Sequence, residues 1–487
     1  MTSIAYHSIA QMQQKLASGE YSSVDLLDAQ LAQISAHNKS LNAIVTKDEE
    51  QARHQARQAD QERVQGQDKG LLHGIPITIK DSFQTAGMRT TSGFPPLKNH
   101  IPDKDAFTVA RLKAAGAIII GKTNLPVLAG DFQCKNPIFG RSNNPWNTAR
   151  TTGGSTGGGA AAIATGMSAL ELGSDLGGSA RVPAHYCGVF GFKPGAYRVS
   201  NHGHIPGSKA PGIAAGSNSM AFMASPGLLA RSAADLQLGF RIIAGADPNI
   251  PDSPPIAPYA NTDLNTEPRQ YKIAWTDAFP GVTVSQDVRA IMAATASALE
   301  DAGHSLEKVQ PEALDFAAAR EAWGIITGNL MGSGINPAVR RALKLSFQLN
   351  GDRSDMKRGI VRGMGLKFRR FTNALMVRDA TNLHIEKFLQ NYDLWLCPVT
   401  SDSAFPHAKT GKPVLVDNKQ VDYLHACGGH TSLFNFSGHP ALVMPSGKAA
   451  DGLPLGIQLV AARWQDEMLL NAAIQIEPVI GGFQPPP

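Results

Sequence analysis

Cysteine is scarce in this chain. Four are present in 487 residues, Cys134, Cys187, Cys397 and Cys427, with no C-x-x-C pair and no histidine cluster beside them. That excludes a sequence-level zinc site or disulfide framework and suits a reducing compartment. Long apolar runs are also missing, and nothing approaches the roughly 18 uncharged apolar residues of a membrane-crossing helix. The first seven residues, Met-Thr-Ser-Ile-Ala-Tyr-His, lack a basic region followed by an apolar run, so no signal peptide is visible. An excess of one charge is lacking too: 45 basic against 40 acidic residues give a formal net charge of +5. So small an excess does not argue for nucleic acid. A soluble cytoplasmic protein is expected, with no membrane, nucleic-acid, metal or cofactor requirement.

What is present is a globular composition, 43% hydrophobic and 17% charged, with 48 glycines. Length alone suggests about three domains, although one large α/β domain is also allowed. Residues 8 to about 63 read as helical, with Ser22 and Ser23 as caps before Leu27, Leu31 and Ile34 on one face. Ile75, Ile77 and Ile79 alternate with Pro76 and Thr78, which predicts a strand ending at Lys80. A helix over 106–115 should close at Gly116, with a short strand over 117–120 behind it. Residues 116–123 match the phosphate-loop pattern letter for letter, but that loop needs its strand before the first glycine and its helix after the lysine. Here the order is reversed, so a nucleotide site is rejected.

Further helices are expected over 231–243 (capped by Ser232), 285–302 and 466–475. Further strands are expected over 271–275, 393–397, 441–444 and 455–460. Residues 248–269 read as a surface excursion and 481–487 as a frayed Pro-rich tail. The basic stretch 340–378 reads as helical, a solvated face or dimer surface rather than a membrane-binding one; a homodimer is the assembly it would serve. Strand and helix alternate throughout, which argues for one α/β fold around a largely buried sheet.

The stretch from Gly153 to Pro183 organises the chain. Ser155 and Ser179 each follow a Gly-Gly pair, 24 positions apart. Glycines let backbone amides approach a ligand closely and gather into donor nests. A serine in such a nest has an oxyanion hole beside it. A flexible Gly/Ser linker fits badly, because residues 160–164 and 167–172 are apolar. Serine needs a base. Gly153-Gly154-Ser155-Thr156-Gly157 fits the G-x-S-x-G elbow, which would call for a histidine, but the polar residues 147–152 make a poor preceding strand. Lys80 is the other candidate, provided burial lowers its pKa towards neutrality. The residues alone leave this undecided.

Three segments together carry a resemblance: Gly-Ile-Pro-Ile-Thr-Ile-Lys-Asp at 74–81, Gly-Gly-Ser-Thr-Gly-Gly at 153–158, and Gly-Ser-Asp-Leu-Gly-Gly-Ser-Ala-Arg-Val-Pro-Ala at 173–184. The chain is similar to the amidase signature family of Ser-Ser-Lys hydrolases, over nearly its whole length. The resemblance implies a single amidase domain over 1–480 with a mixed central β-sheet covered by helices, its signature core at about 70–210. It implies Ser179 as nucleophile, Ser155 after a cis peptide bond as proton relay, and Lys80 as terminal base. The backbone at Leu176, Gly177, Gly178 and Ser179 would cradle the oxyanion, and Ala129 would shape the acyl pocket. Asp175, Arg181 and Thr156 would support the loop. The family often has serine where Thr156 stands and proline where Thr152 stands; Thr156 keeps a hydroxyl. The implied reaction is hydrolysis of a small-molecule carboxylic amide, through an acyl-enzyme, to the acid and ammonia or an amine. The rivals are the glutaminase subunit of a tRNA-dependent amidotransferase and an inactive, amidase-like binding protein.

Overall fold

The computed structural model describes residues 4–211, 213, 221–250 and 268–487. Eleven strands form one sheet. Its order is Ile44–Lys47, Ile118–Thr123, Pro76–Lys80, Glu171–Asp175, Ser225–Ala230, Phe190–Lys193, Ala441–Lys448, Pro454–Val460, Leu394–Pro398, Lys272–Trp275, Ser305–Lys308. The Lys80 strand runs parallel to both neighbours, whereas Glu171–Asp175 pairs antiparallel with Ser225–Ala230, so the sheet is mixed. Single-domain α/β architecture follows, as the alternation of elements predicts.

Helices cover both faces, and the Lys80 strand is buried between them. Its isoleucines alternate with Pro76 and Thr78, and all five residues of Pro76–Lys80 are buried, as a largely buried sheet requires. A buried polar group needs a partner, and the Thr78 hydroxyl finds one in the Glu171 carboxyl at 2.6 Å. The phosphate-loop look-alike resolves the same way. Ile118–Thr123 is a buried strand, and the Lys122 ammonium donates to the Thr85 hydroxyl at 2.7 Å and to the Phe83 carbonyl.

The single helical run expected over 8–63 is interrupted. Helices Ile9–Ala17, Ser23–Leu41 and Glu49–Val64 flank the edge strand Ile44–Lys47. The break comes at Asn42, whose backbone is left-handed (φ 50°) and whose side-chain amide donates to the Phe139 carbonyl at 2.7 Å. Ser22 caps the second helix and Ser232 the helix Ala233–Ile243, as their positions suggest.

The C-terminal helix outlasts its expected end at Gln475 and runs to Ile480, because Leu469, Leu470, Ala473 and Ile476 all bury against the core. Phe483 beyond it stacks on Tyr6 with ring centroids 6.3 Å apart, so the start of the tail is docked rather than frayed. The surface excursion expected over 248–269 lies mostly outside the described residues. In the basic stretch, helix Pro337–Leu349 has no buried residue. No described helix is long and apolar enough to cross a membrane.

Candidate active site

Two parallel strands bring the site together. Lys80 ends one, and Glu171–Asp175 beside it leads directly into the second Gly-Gly-Ser. The Lys80 side chain is fully buried. Its ammonium nitrogen lies 2.7 Å from Ser155 Oγ, 3.0 Å from Thr156 Oγ1 and 3.0 Å from Ser174 Oγ. Three neutral hydroxyls and no carboxylate surround it at hydrogen-bond distance. Burial therefore dominates and pulls its pKa from 10.5 down to about 7, although Glu171, Asp175 and Cys134 act in the opposite direction.

Ser155 follows a cis peptide bond and opens the buried helix Gly157–Ala164. No strand precedes it; Thr151 makes only isolated bridge pairing, so the elbow context of G-x-S-x-G is missing. Its hydroxyl is bonded to Lys80, not to a histidine.

The loop 175–181 is shaped by one carboxylate. Asp175 accepts from the Gly178 amide at 2.8 Å, the Ala180 amide at 3.0 Å, the Arg181 guanidinium at 2.9 and 3.0 Å, and the Asn435 side chain at 2.9 Å. Burial alone would push its pKa up, but Arg181 and these donors more than offset that and hold it far below the usual carboxylate range. Arg181 is equally buried and donates onward to Gln458 and Asn435. The Gly178 N–H thus points at Asp175, which leaves the amides of Leu176, Gly177 and Ser179 without a protein acceptor among the described residues. The loop carbonyls are pinned from behind, Leu176 by the Trp323 indole N–H at 3.0 Å and Gly177 by the Thr431 hydroxyl at 2.6 Å. In a trans peptide the N–H opposes the preceding carbonyl, so the pinned Leu176 carbonyl turns the Gly177 amide the other way. Gly178 (φ +122°) tolerates no side chain, since a Cβ there would lie 2.3 Å from Thr431 Oγ1.

Ser155, Ser174, Ala129, Leu176 and Ser179 all line one cavity of about 450 Å³. No side-chain hydrogen bond joins Ser155 to Ser179. They share the cavity wall, and their loops are tied by the Thr156 N–H donating to the Ser179 carbonyl at 3.0 Å. The structure thus gathers Lys80, Ser155, Thr156 and Ser179 into one site, with Asp175 and Arg181 behind it. Ser174, His204, Trp323 and Thr431 carry no local mark of a role in the sequence; for Ser174 the one available signal is its place inside the Gly-Ser-Asp-Leu-Gly-Gly-Ser run.

The eleven-stranded mixed sheet with a cavity at its glycine-rich loops makes this an α/β protein, and the family it matches and its structural neighbours place it among enzymes that hydrolyse carbon–nitrogen bonds of amides. Residues 25–470 match the Amidase family model, and the chain belongs to that family, the amidase signature enzymes. It is 33% identical to a glutamyl-tRNA(Gln) amidotransferase subunit of Roseiflexus sp. (strain RS-1), spanning 97% of this chain and 96% of that one. Among solved structures it is similar to 6-aminohexanoate cyclic dimer hydrolase complexed with substrate, at 26% identity, a TM-score of 0.79 and 98% of both chains. A bacterial aryl acylamidase shares the fold, with a TM-score of 0.82 over 97% of this chain and 96% of that one, at 24% identity.

Proposed function

We propose that the protein is a free-standing amidase that hydrolyses a small neutral carboxamide through an ester on Ser179. The observation that carries this is the fully buried Lys80, held by three hydroxyls and brought to a pKa of about 7. Such a lysine can be neutral and basic at physiological pH. Ser179 Oγ attacks the amide carbonyl carbon, its proton passes to Ser155, and the Ser155 proton passes to the Lys80 lone pair. The oxygen that becomes negative is met by the amides of Leu176, Gly177 and Ser179, each such donor being typically worth about 10²–10³ in rate. Collapse breaks the C–N bond, and the amine leaves with a proton returned through Ser155 from Lys80. Water then attacks the ester by the same proton route, which frees the acid and restores Ser179.

The glutaminase-subunit reading is the alternative that the 33% identical relative keeps alive. Glutamine carries an α-ammonium that wants a carboxylate. Among the described residues lining the cavity the sole carboxylate is Asp175, already bonded to Arg181 and to the loop amides. The apolar part of the wall, Leu128, Ala129, Leu176, Pro206, Ala221 and Ala224, suits an apolar acyl group of modest size, while Gln84, Asn201, His202, Ser208 and Lys209 make the rest of the lining polar. The test is to purify this chain alone and measure ammonia release across aliphatic amides, aryl amides and glutamine. Release from simple amides supports the proposal; turnover of glutamine alone, and only with added partner subunits, would replace it.

A further inference from the structure

We propose that His204 is a positioning residue for this reaction: through Ser174 it keeps the lone pair of Lys80 turned towards Ser155. The inference rests on Lys80 acting as the base. A neutral amine has two N–H groups and one lone pair. If the lone pair is to accept the Ser155 proton, both N–H groups must go to the other two oxygens in reach, Thr156 Oγ1 and Ser174 Oγ, each at 3.0 Å. Ser174 must then accept from Lys80, and its own proton must be donated elsewhere.

His204 supplies that outlet. Its Nε2 lies 3.0 Å from Ser174 Oγ, and its Nδ1 lies 2.9 Å from the Pro206 carbonyl oxygen. A carbonyl can only accept, so Nδ1 carries the proton and Nε2 is bare. Burial, the largest influence on the ring, pushes its pKa down to about 4 and so keeps it neutral. Every hydrogen in the chain then has one direction: Nδ1–H to Pro206, Ser174 O–H to Nε2, Lys80 N–H to Ser174, Ser155 O–H to Lys80. Without the Nε2 acceptor, Ser174 is free to turn its own proton onto the Lys80 lone pair, where it competes with Ser155.

The placement of His204 is built into the fold. Residues 203–205 pair with the residues that directly follow Lys80: the Gln84 amide donates to the Gly203 carbonyl at 2.9 Å and the Ile205 amide to the Ser82 carbonyl at 2.7 Å. The Phe83 ring meets the imidazole edge-on at 4.9 Å. Gly203 has φ +89°, and a Cβ on it would come within 2.3 Å of the Ala106 Cα, so this clamp requires glycine. A histidine serving only as cavity wall would leave the direction of the Ser174 hydrogen bond free. The coupling to Ser174 separates the two roles.

The experiment is a double-mutant cycle on the full chain. The readout is the second-order rate at which a small alkyl fluorophosphonate labels Ser179, with thermal melting to check folding. His204→Phe keeps a ring without an acceptor and should slow labelling roughly tenfold, the scale of one lost hydrogen bond. His204→Gln, whose amide oxygen stands near the Nε2 position, should label faster than His204→Phe. In a Ser174→Ala background, His204→Phe should have no further effect. An equal loss in both backgrounds, Gln no better than Phe, or a His204→Phe rate equal to wild type would each overturn the proposal. Should His204→Phe melt early, the comparison of Gln with wild type in the two backgrounds decides instead. Lys80→Arg is the control that separates the readings. If it labels at the wild-type rate, the amidase mechanism itself falls; if it is dead while His204→Phe is normal, only the role of His204 falls.

Discussion

Removing the Lys80 charge should abolish turnover and yet leave the fold at least as stable. In the folded protein its pKa is drawn from 10.5 to about 7, chiefly by burial. The protein must be deprotonated at Lys80 to react, so activity should climb with pH along a single limb with its midpoint near 7. The stability consequence has a definite sign. The unfolded chain holds the Lys80 proton up to about pH 10.5, whereas the folded protein releases it near 7. Between those values the unfolded state binds more protons, and stability rises with pH; below pH 7 the full penalty applies. At 1.36 kcal/mol per pKa unit, that penalty is on the order of 5 kcal/mol. Lys80→Met removes it but deprives three hydroxyls of a partner, at about 1 kcal/mol each. The variant should therefore melt no lower than wild type at pH 7, with its advantage shrinking as pH approaches 10.5. Its rate should fall by at least about 10², the lower end of what a general base contributes. Lys80→Arg, which cannot deprotonate, should be as inactive. The assays are fluorophosphonate labelling and amide hydrolysis from pH 5 to 10, with thermal melts over the same range. A limb centred near 10, or a folded Lys80→Arg protein with near-normal turnover, would refute the reasoning.

Three further outcomes are expected. Glu171 is buried with its pKa raised to about 7, and its charge pushes the Lys80 pKa up; Glu171→Gln should therefore move the activity limb to lower pH, and an unmoved or raised midpoint would disprove the coupling. Asp175→Asn strands the buried Arg181 guanidinium and should cost about 3–5 kcal/mol by chemical denaturation. Because the Asp175 pKa is depressed, that cost should stay constant from pH 5 to 9, and a stable variant with normal turnover would remove Asp175 from its place in the loop. Trp323→Phe keeps an aromatic ring but loses the donor to the Leu176 carbonyl; kcat should drop up to about tenfold with KM little changed, whereas a change confined to KM would make Trp323 a cavity wall only.

What could be read in the sequence was local. Isoleucines at alternate positions ending in Lys80 mark a strand, and serine before a helix marks Ser22 and Ser232 as caps. The middle of the sheet was harder. Glu171–Asp175 reads Glu-Leu-Gly-Ser-Asp and Ser225–Ala230 reads Ser-Pro-Gly-Leu-Leu-Ala, both poor in the β-branched and aromatic residues that signal strands. They are strands because their neighbours pair with them and helices cover them, which no local pattern encodes. The functional partners missed share that cause. Ser174 meets His204 across 30 positions, Leu176 meets Trp323 across 147, and Gly177 meets Thr431 across 254. Each contact exists only once the sheet has closed.

The same assembly explains how a lysine and two carboxylates share one buried site without neutralising the base. A carboxylate at hydrogen-bond distance from Lys80 would hold its proton and raise its pKa. Both nearby carboxyls are instead occupied elsewhere. Glu171 accepts from Thr78 and Thr123 at 2.6 and 2.5 Å, and its own burial raises its pKa towards neutrality, which weakens its pull on Lys80 near pH 7. Asp175 keeps its charge, but Arg181 lies against it and balances it. Asp175, which shapes the 175–181 loop, therefore stays ionised in the working range, while the lysine surrounded by hydroxyls titrates there. Moving one carboxylate to the Ser174 or Thr156 position should reverse this division. Ser174→Asp would set a charge beside Lys80 and lift its pKa towards the unfolded value, so the activity limb should move up by more than one pH unit. A limb that stays near 7 in a folded Ser174→Asp variant would show that burial, and not the neutrality of its neighbours, sets the base.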